Sequence, residues 1–313
     1  MYKVSILFST YKRGSELSKT LNSFCDINFD LPWEIVLVDN EGNNETKRIA
    51  STYAGRLNLT YLVETTPGKN SALNLGLSVA KGDIIVLTDD DIIASASWLR
   101  EVYDGCLRNP QADIFGGKIL PSFPSNVNIE KLPYQLDMPF IITALVIANW
   151  GDNEGDIEPD KIWGPNMAVR KSVFDSGEMF DVNVGPNGKN YIMGSETEFI
   201  TRCFNKGFKL CYLPNAIVEH QIRPEQLTID WMRGRSFRVG RTTAAAGRVV
   251  KGRMSILNCP TYIYKNIIIE TIKSGFFCVI NKRFSYFSSQ MKISKFKGMI
   301  YQLQVMYREK GPL

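Results

Sequence analysis

Three consecutive aspartates, Asp89, Asp90 and Asp91, close the apolar run Asp83–Thr88. Adjacent carboxylates repel one another, so such a cluster is costly unless a cation neutralises it. Hard oxygen donors of this kind suit Mg²⁺ or Mn²⁺, which take a few carboxylates and complete their shells with substrate phosphates. The plainer alternative is a solvated turn, or the N-cap of a helix starting near Ser95. His220, the single histidine of the chain, follows the strand-like segment Ala216–Glu219. By itself it reads as a packing or surface residue, and it gains weight only where a metal site needs another ligand. Gly194–Phe199 (GSETEF) puts Glu196 and Glu198 in the first turn of a helix expected to run to about Asn205. Residues two apart on a helix face different ways, so only one of the two can enter a given site. Acids in a first turn are also favoured by the helix dipole, which is the bland account of both. The sharper account makes Glu196 a general base at the mouth of a cleft.

These residues need elements to hold them, and the first half of the chain supplies an alternation of strand and helix patterns. Lys3–Ser9, Glu34–Asp39, Leu59–Glu64 and Asp83–Thr88 are β-branched and apolar. Between them lie helical stretches from about Gly14 to Cys25, a polar helix after Asn40, and Lys69–Ala80. Strands this apolar, separated by helices, imply a parallel sheet covered on both faces, an α/β doubly wound class. In such sheets ligands bind beyond the carboxyl ends of the strands. Ser9-Thr10-Tyr11, Asp39-Asn40 and Asp89-Asp90-Asp91 all stand at that edge. Residues 113–222 read as mixed, and from about Thr228 the chain reads as helical, basic and rich in aromatics and isoleucine. The expected division is a catalytic domain over 1–227, with a nucleotide half to 118 and an acceptor half over 119–227. A helical basic region over 228–313 follows it.

With 313 residues, 44% of them hydrophobic and 22% charged, the chain has the composition of an ordinary globular protein with a large core. Its six cysteines, Cys25, Cys106, Cys203, Cys211, Cys259 and Cys278, show no C-x-x-C spacing. That disfavours a zinc site or a disulfide scaffold and fits a reducing compartment. The apolar stretch Val4–Phe8 is too short for a signal peptide. Ile141–Ala148 is the longest uncharged apolar run, far below the roughly 20 residues that span a bilayer. The expected location is the cytoplasm, with peripheral contact on the inner face of the cell membrane.

Seven segments then fall in a recognisable order: SILFSTYKR (Ser5–Arg13), EIVLVDN (Glu34–Asn40), GKNSALNLGL (Gly68–Leu77), GDIIVLTDDDI (Gly82–Ile92), WGPNMAVRK (Trp163–Lys171), GSETEF and the isolated His220. In that order the chain resembles the family 2 glycosyltransferases of GT-A fold, from Val4 to about Arg241. The resemblance implies a Rossmann-like, doubly wound mixed sheet and sugar transfer from a nucleoside diphosphate sugar, with uridine the first choice of base. It assigns the nucleotide to Thr10, Tyr11, Arg13, Asp39, Lys69, Asp89 and Asp90, with Asp39 accepting from the base and Lys69 near the phosphates. Asp91, the second acid of a D-x-D pattern, and His220 would hold Mn²⁺ or Mg²⁺. Trp163, Gly164, Asn166, Met167, Ser195 and Glu198 would shape the sugar and acceptor pocket. Glu196 would be the catalytic base of a single, inverting displacement.

Two departures stand out. Ser195-Glu196 occupies the place where the family more often has Glu-Asp, which makes the base one methylene longer. Either the backbone is set back there, or Glu198 takes part of the role. Asp39-Asn40 stands where many relatives carry two aspartates.

Residues 1–230 hold 21 Lys and Arg against 30 Asp and Glu, whereas residues 231–313 hold 16 against 2. Such polarity implies that the tail faces something anionic. Trp231–Arg241 sets out Arg233, Arg235, Arg238 and Arg241, a residue type suited to bidentate phosphate binding or to a solvated basic face. Tyr262–Ile272, Phe276–Phe277 and Phe284–Phe287 mix bulky apolar groups with lysines, as in a helix lying in a membrane interface. They read equally as helices packed on their neighbours. The Q-x-x-R-W signature of processive relatives is absent, so addition of one or a few sugars to a saccharide or lipid-linked acceptor is expected. A single glycine after the first strand disfavours a nucleotidyltransferase, and the lack of G-x-G-x-x-G there disfavours a dehydrogenase. A nucleic-acid-binding or scaffold protein using the basic tail is the competing class. It leaves the acidic run, Asp39 and Glu196 without purpose, so no nucleic acid is expected as a partner.

Overall fold

The computed structural model describes residues 2–185, 193–250 and 254–310 of the chain. They form two compact units. The first takes its described residues from 1–122, 146–190 and 194–221, and the second from 123–145, 191–193 and 222–313. The chain leaves the first unit at Ser122 and returns at Val146.

In chain order the elements of the first unit begin with β1 (Val4–Thr10), α1 (Ser15–Cys25), β2 (Trp33–Asp39), α2 (Asn44–Tyr53), β3 (Leu59–Val63) and α3 (Lys69–Leu77). They continue with β4 (Ile84–Leu87), β5 (Ile92–Ala94), α4 (Trp98–Arg108) and β6 (Ile114–Ser122). After α5 (Pro139–Ala144), which belongs to the second unit, come β7 (Gly155–Asp156), β8 (Met167–Arg170), α6 (Lys171–Asp175), α7 (Ser195–Asn205) and β9 (Leu210–Gln221). The strands make one nine-stranded sheet in the order β3-β2-β1-β4-β8-β6-β9-β5, with β7 added on β9. The β1, β2, β3 and β4 pairings are parallel. β8 runs antiparallel to both of its neighbours, β6 and β9 are parallel, and β5 is antiparallel to β9. This is the mixed α/β sheet that the family resemblance implies; the strand patterns alone read as a parallel sheet, and the antiparallel β5, β7 and β8 depart from that.

The reason for the layering is visible in β1. Val4, Ile6 and Phe8 enter one core together with Leu17, Leu21 and Phe24 of α1, Ile49 of α2 and Trp98 of α4. Leu7 enters the other core with Leu73 of α3 and Phe199 of α7. Period-two alternation thus sends successive residues to opposite helical layers, and a strand buried on both faces must be apolar throughout. α3 ends at Leu77, three residues short of the expected Ala80, and the N–H groups of Ser78, Val79 and Ala80 close the turn on Asn74, Leu75 and Gly76.

The second unit is built on α8 (Ile229–Ala245), α9 (Thr261–Val279) and α10 (Arg283–Lys310), with a two-residue hairpin of β10 (Ser255–Ile256) and β11 (Cys259–Pro260). Thr228 caps α8, its hydroxyl accepting from the Trp231 N–H at 3.2 Å. Ser236 Oγ donates to the Met291 carbonyl at 2.6 Å, and Arg241 Nε donates to Gln302 at 3.0 Å, so α8 and α10 are joined by polar as well as apolar contact. No helix among the described residues is long and apolar enough to cross a membrane.

Candidate functional site

The acidic run follows β4 at the carboxyl edge of the parallel strands. The Thr88 N–H bonds the Leu7 carbonyl at 3.2 Å, which aligns the ends of β1 and β4. Asp90 and Asp91 are 7% and 6% exposed, and β5 separates them from α4, whose N-cap is Ser97. The run is therefore neither a solvated turn nor a helix cap.

Each aspartate is partnered, and Arg13 is shared by two of them. Asp89 accepts from Lys69 Nζ at 2.6 Å, across from the start of α3. Asp90 accepts from Thr10 Oγ1 at 2.7 Å and lies 3.4 Å from Arg13 Nε. Asp91 Oδ2 lies 3.2 Å from Arg13 Nη2, and its Oδ1 lies 3.6 Å from His220 Nε2. The antiparallel register of β5 on β9 sets Ile92 opposite His220, which brings the histidine beside the last aspartate. Gln221 N–H bonds the Asp91 carbonyl at 2.8 Å, and Thr20 Oγ1 donates to the carbonyls of Asp90 and Ile92. Gln221 and Thr20 thus hold the backbone of the run, and neither was singled out from the sequence. Gln221's place directly after the lone histidine, and Thr20's place on the apolar face of α1, were the available signals.

Lys69 is the hinge of the site. The same Nζ that serves Asp89 lies 2.5 Å from Glu196, at the first turn of α7. Ser195 Oγ donates to the other Glu196 oxygen at 2.8 Å. Gly164 packs so close that a Cβ there would sit 2.5 Å from Glu196 Oε1. Lys69, Thr88, Gly164, Met167 and Glu196 line one small recess. Burial resists ionisation of Glu196, but the Lys69 ammonium outweighs it and holds the carboxyl down at about 2. The aspartates shift the other way: burial first, then neighbouring carboxylates, raises Asp90 to about 7 and lifts Asp89 above its ordinary value.

The remaining expected residues lie in different settings. Asp39, fully buried at the end of β2, accepts from the N–H groups of Glu41 (2.9 Å) and Asn43 (3.2 Å) and from Tyr61 Oη (2.8 Å). Tyr11 is 56% exposed just beyond β1, with the Lys12 ammonium 5.1 Å from its ring centre. Asn166 is buried and fastened inside the protein: Trp98 Nε1 donates to it at 2.9 Å, and it donates to the carbonyls of Lys118 and Ala216. Met167 is 1% exposed and belongs to the core as well as to the recess. Trp163 meets Trp150 edge to face and donates to the Asp160 carbonyl. Glu198 turns to Arg202, 2.8 Å away, which also pairs with Glu178. Of the two acids of α7, then, only Glu196 stands with Lys69 and the acidic run.

Asn40 has a structural reason to differ from an aspartate. Its amide donates to the carbonyls of Glu64 and Thr66 and accepts from the Gly68 N–H, which ties β2 to the turn that launches α3. A carboxylate could make only the last of these.

Four carboxylates, Asp89, Asp90, Asp91 and Glu196, are met here by two permanent cations, Arg13 and Lys69. The excess negative charge, a hard oxygen donor at Asp91 and an imidazole beside it fit a divalent cation of the Mg²⁺ or Mn²⁺ class. Among the described residues no three His, Cys, Asp or Glu side chains form a protein-only metal cage.

The model of "Glycosyl transferase family 2" matches residues 5–173. The glucosyl-dolichyl phosphate glucuronosyltransferase of Haloferax volcanii is 23% identical over 239 residues, covering 75% of this chain and 74% of that one. The succinoglycan biosynthesis protein ExoM of Rhizobium meliloti is 22% identical over 278 residues, covering 87% and 82%. Among solved structures, residues 1–349 of S. aureus TarS in complex with UDP align with a TM-score of 0.53 at 14% identity, over 98% of this chain and 91% of that one. A mannosyltransferase from Pyrobaculum calidifontis, solved with GDP-Man and Mn²⁺, aligns with a TM-score of 0.54 at 16% identity, over 100% and 77%. At these identities the solved structures establish the likeness of fold.

Proposed function

The chain belongs to glycosyl transferase family 2 and has a GT-A fold, and on that premise we propose that it moves a sugar from a nucleoside diphosphate sugar, with UDP the first choice, to a hydroxyl of a saccharide or lipid-linked acceptor, inverting the anomeric centre. The observation that carries this reading is the meeting of Glu196 and the acidic run on a single lysine, beside Asp91 and His220. The UDP of the TarS structure and the GDP-Man and Mn²⁺ of the archaeal one support a nucleotide-sugar donor and a divalent cation.

In this reading Asp91 and His220 hold Mn²⁺ or Mg²⁺, and Asp89 and Asp90 complete the acidic wall of the donor site. When bound, the cation supplies positive charge to the departing diphosphate. Thr10 and Arg13 fix the position of Asp90 and Asp91, while Tyr11 and Asp39 form the nucleotide end beyond β1 and β2. Lys69 adds a second positive group on the phosphate side. Glu196 takes the proton of the acceptor hydroxyl as that oxygen attacks the face opposite the leaving group. Gly164 and Ser195 shape the surroundings of that carboxylate. Met167 and Trp163 contribute apolar surface to the sugar side, Asn166 braces the turn they stand on, and Glu198 braces the first turn of α7 through Arg202. The enzyme is non-processive, works in the assembly of a polysaccharide or glycan in the cytoplasm, and touches the inner membrane surface peripherally.

Calorimetric titration with UDP, GDP and TDP, with and without Mn²⁺, on the wild type and on Asp91→Ala tests the donor reading. Metal-dependent binding of one nucleotide, lost in the variant, is expected. Absence of binding to all three under every metal condition would overturn it.

A further inference from the structure

Helix α9 is buried on one side and carries large apolar side chains on the opposite, exposed one. Ile263, Glu270 and Ser274 face inward. On the other side Ile268, Ile272, Phe276 and Val279 are 61%, 68%, 59% and 86% exposed. Their spacing of four, four and three residues makes a single continuous stripe on one helical face. Large apolar side chains held in water in a row, rather than singly, mark a surface that meets something.

The charges around the stripe identify what it meets. Lys265 at its start and Lys282 and Arg283 just past its end are exposed. From Trp231 to Arg308 the only acidic residue is Glu270. Glu270 is 7% exposed on the inward side, 3.1 Å from Lys273 and 3.7 Å from Lys292. The outward face therefore carries cations and no carboxylate. We propose that this face of α9 is the surface by which the protein lies on an anionic phospholipid bilayer. Ile268, Ile272, Phe276 and Val279 enter the boundary between headgroups and acyl chains, and Lys265, Lys282 and Arg283 meet lipid phosphates. An apolar stripe with a basic rim is the pattern of a helix lying in the plane of the interface. α9 has 19 residues but is not apolar enough to span. A second copy of the chain is disfavoured as occupant, because two such faces would bring like charges together. This assignment rests on the peripheral contact proposed above and not on the donor chemistry.

The test is co-sedimentation of the full chain with vesicles of phosphatidylcholine, alone or with phosphatidylglycerol at about one third of the lipid. The wild type is expected to pellet with the anionic vesicles, much less with the neutral ones, and less as salt rises. Ile272→Asp combined with Phe276→Asp should lower the partition coefficient on the order of tenfold with an unchanged circular dichroism spectrum. Lys282→Gln combined with Arg283→Gln should remove the preference for anionic lipid. Cys278 is exposed beside the stripe, so an environment-sensitive dye placed there should shift to the blue when anionic vesicles are added. A wild type that stays in the supernatant with anionic vesicles at low salt would overturn the proposal. So would equal binding by the Ile272/Phe276 variant. A solution dimer that this variant dissolves would assign the face to a second copy instead. None of these readouts depends on nucleotide binding, so the donor reading fails or stands separately.

Discussion

Lys69 Nζ lies 2.5 Å from a carboxylate oxygen of Glu196 and 2.6 Å from one of Asp89, so one ammonium group joins the first turn of α7 to the acidic run after β4. All three side chains are 20–28% exposed, enough for a substrate to reach them and too little for water to screen them fully. A carboxyl held down at about 2 is a weak base. A diphosphate that shares the Lys69 charge would therefore also release Glu196 to bind a proton.

Lys69→Met tests that link. Glu196 has its pKa depressed in the folded protein from an ordinary 4.5, so the pair stabilises the fold above about pH 4.5 and that stabilisation is lost as pH falls towards 2. Removing the lysine leaves two carboxylates without their cation and should cost ~3 kcal/mol at neutral pH in a denaturant titration. The same change should move the acid limb of kcat/KM for the donor upward, to at or above the ordinary glutamate value, because Glu196 then protonates more easily. An acid limb that stays in place in a folded Lys69→Met protein would mean that Glu196 is not the group whose ionisation matters.

Asp91 and His220 come together through strand register, and their joint removal should behave as one loss. Asp91→Ala is expected to abolish Mn²⁺-dependent nucleotide binding, and His220→Ala to weaken it on the order of 10- to 100-fold. The double variant should be no worse than Asp91→Ala, since groups holding one ion act as a unit. A His220→Ala variant that keeps full Mn²⁺-dependent binding in calorimetry would argue that the two residues serve different ligands.

Much of this arrangement was legible because the signals were local. The apolar strands β1, β2 and β4 end in polar residues, and a parallel sheet gathers such ends at one edge. Glu196 over Glu198 was less legible, since period alone says only that the two diverge. What separates them in the structure is Lys69, 127 residues away in sequence, which meets Glu196 while Arg202 engages Glu198. Asn166 sits in a matching motif yet spends its amide on Lys118, Ala216 and Trp98, contacts that no spacing announces. The excursion of residues 123–145 into the second unit was also invisible, because its partners lie beyond Gln221. Tyr134, for example, donates to the Leu227 carbonyl and packs 4.8 Å from Phe287, ring centre to ring centre.

Gly164→Ala isolates the position of Glu196 from its charge. A Cβ would lie 2.5, 2.8 and 2.9 Å from Oε1, Cδ and Cγ of Glu196, all in a movable side chain. The fold can absorb that by turning the carboxylate aside, so thermal stability should change little. Misplacement of a base by about 1 Å can cost on the order of 10²-fold in rate, and kcat should fall by roughly that factor with donor KM nearly unchanged. A variant with full kcat would show that Glu196 does not need its present place.

Gly240→Ala and Gly298→Ala should do the opposite, damaging stability without touching the donor site. α8 and α10 meet backbone to backbone at these two glycines. A Cβ on Gly240 would lie 1.9 Å from the Lys295 carbonyl oxygen, and one on Gly298 would lie 2.0 Å from that of Phe237. Neither obstacle is a side chain that can turn away, so the helices must separate and the contacts of Ala244, Met299 and Leu303 around them loosen. Ordinary overpacking costs about 1–3 kcal/mol, and a clash of two backbones should reach or exceed the top of that range. Helix propensity works the other way, because alanine favours a helix over glycine by about 1 kcal/mol. The sign of the measured change therefore decides between close approach and mere flexibility. A melting temperature lowered in both variants, with UDP affinity unchanged, is the expected result. A raised one would mean that α8 and α10 do not approach so closely in solution.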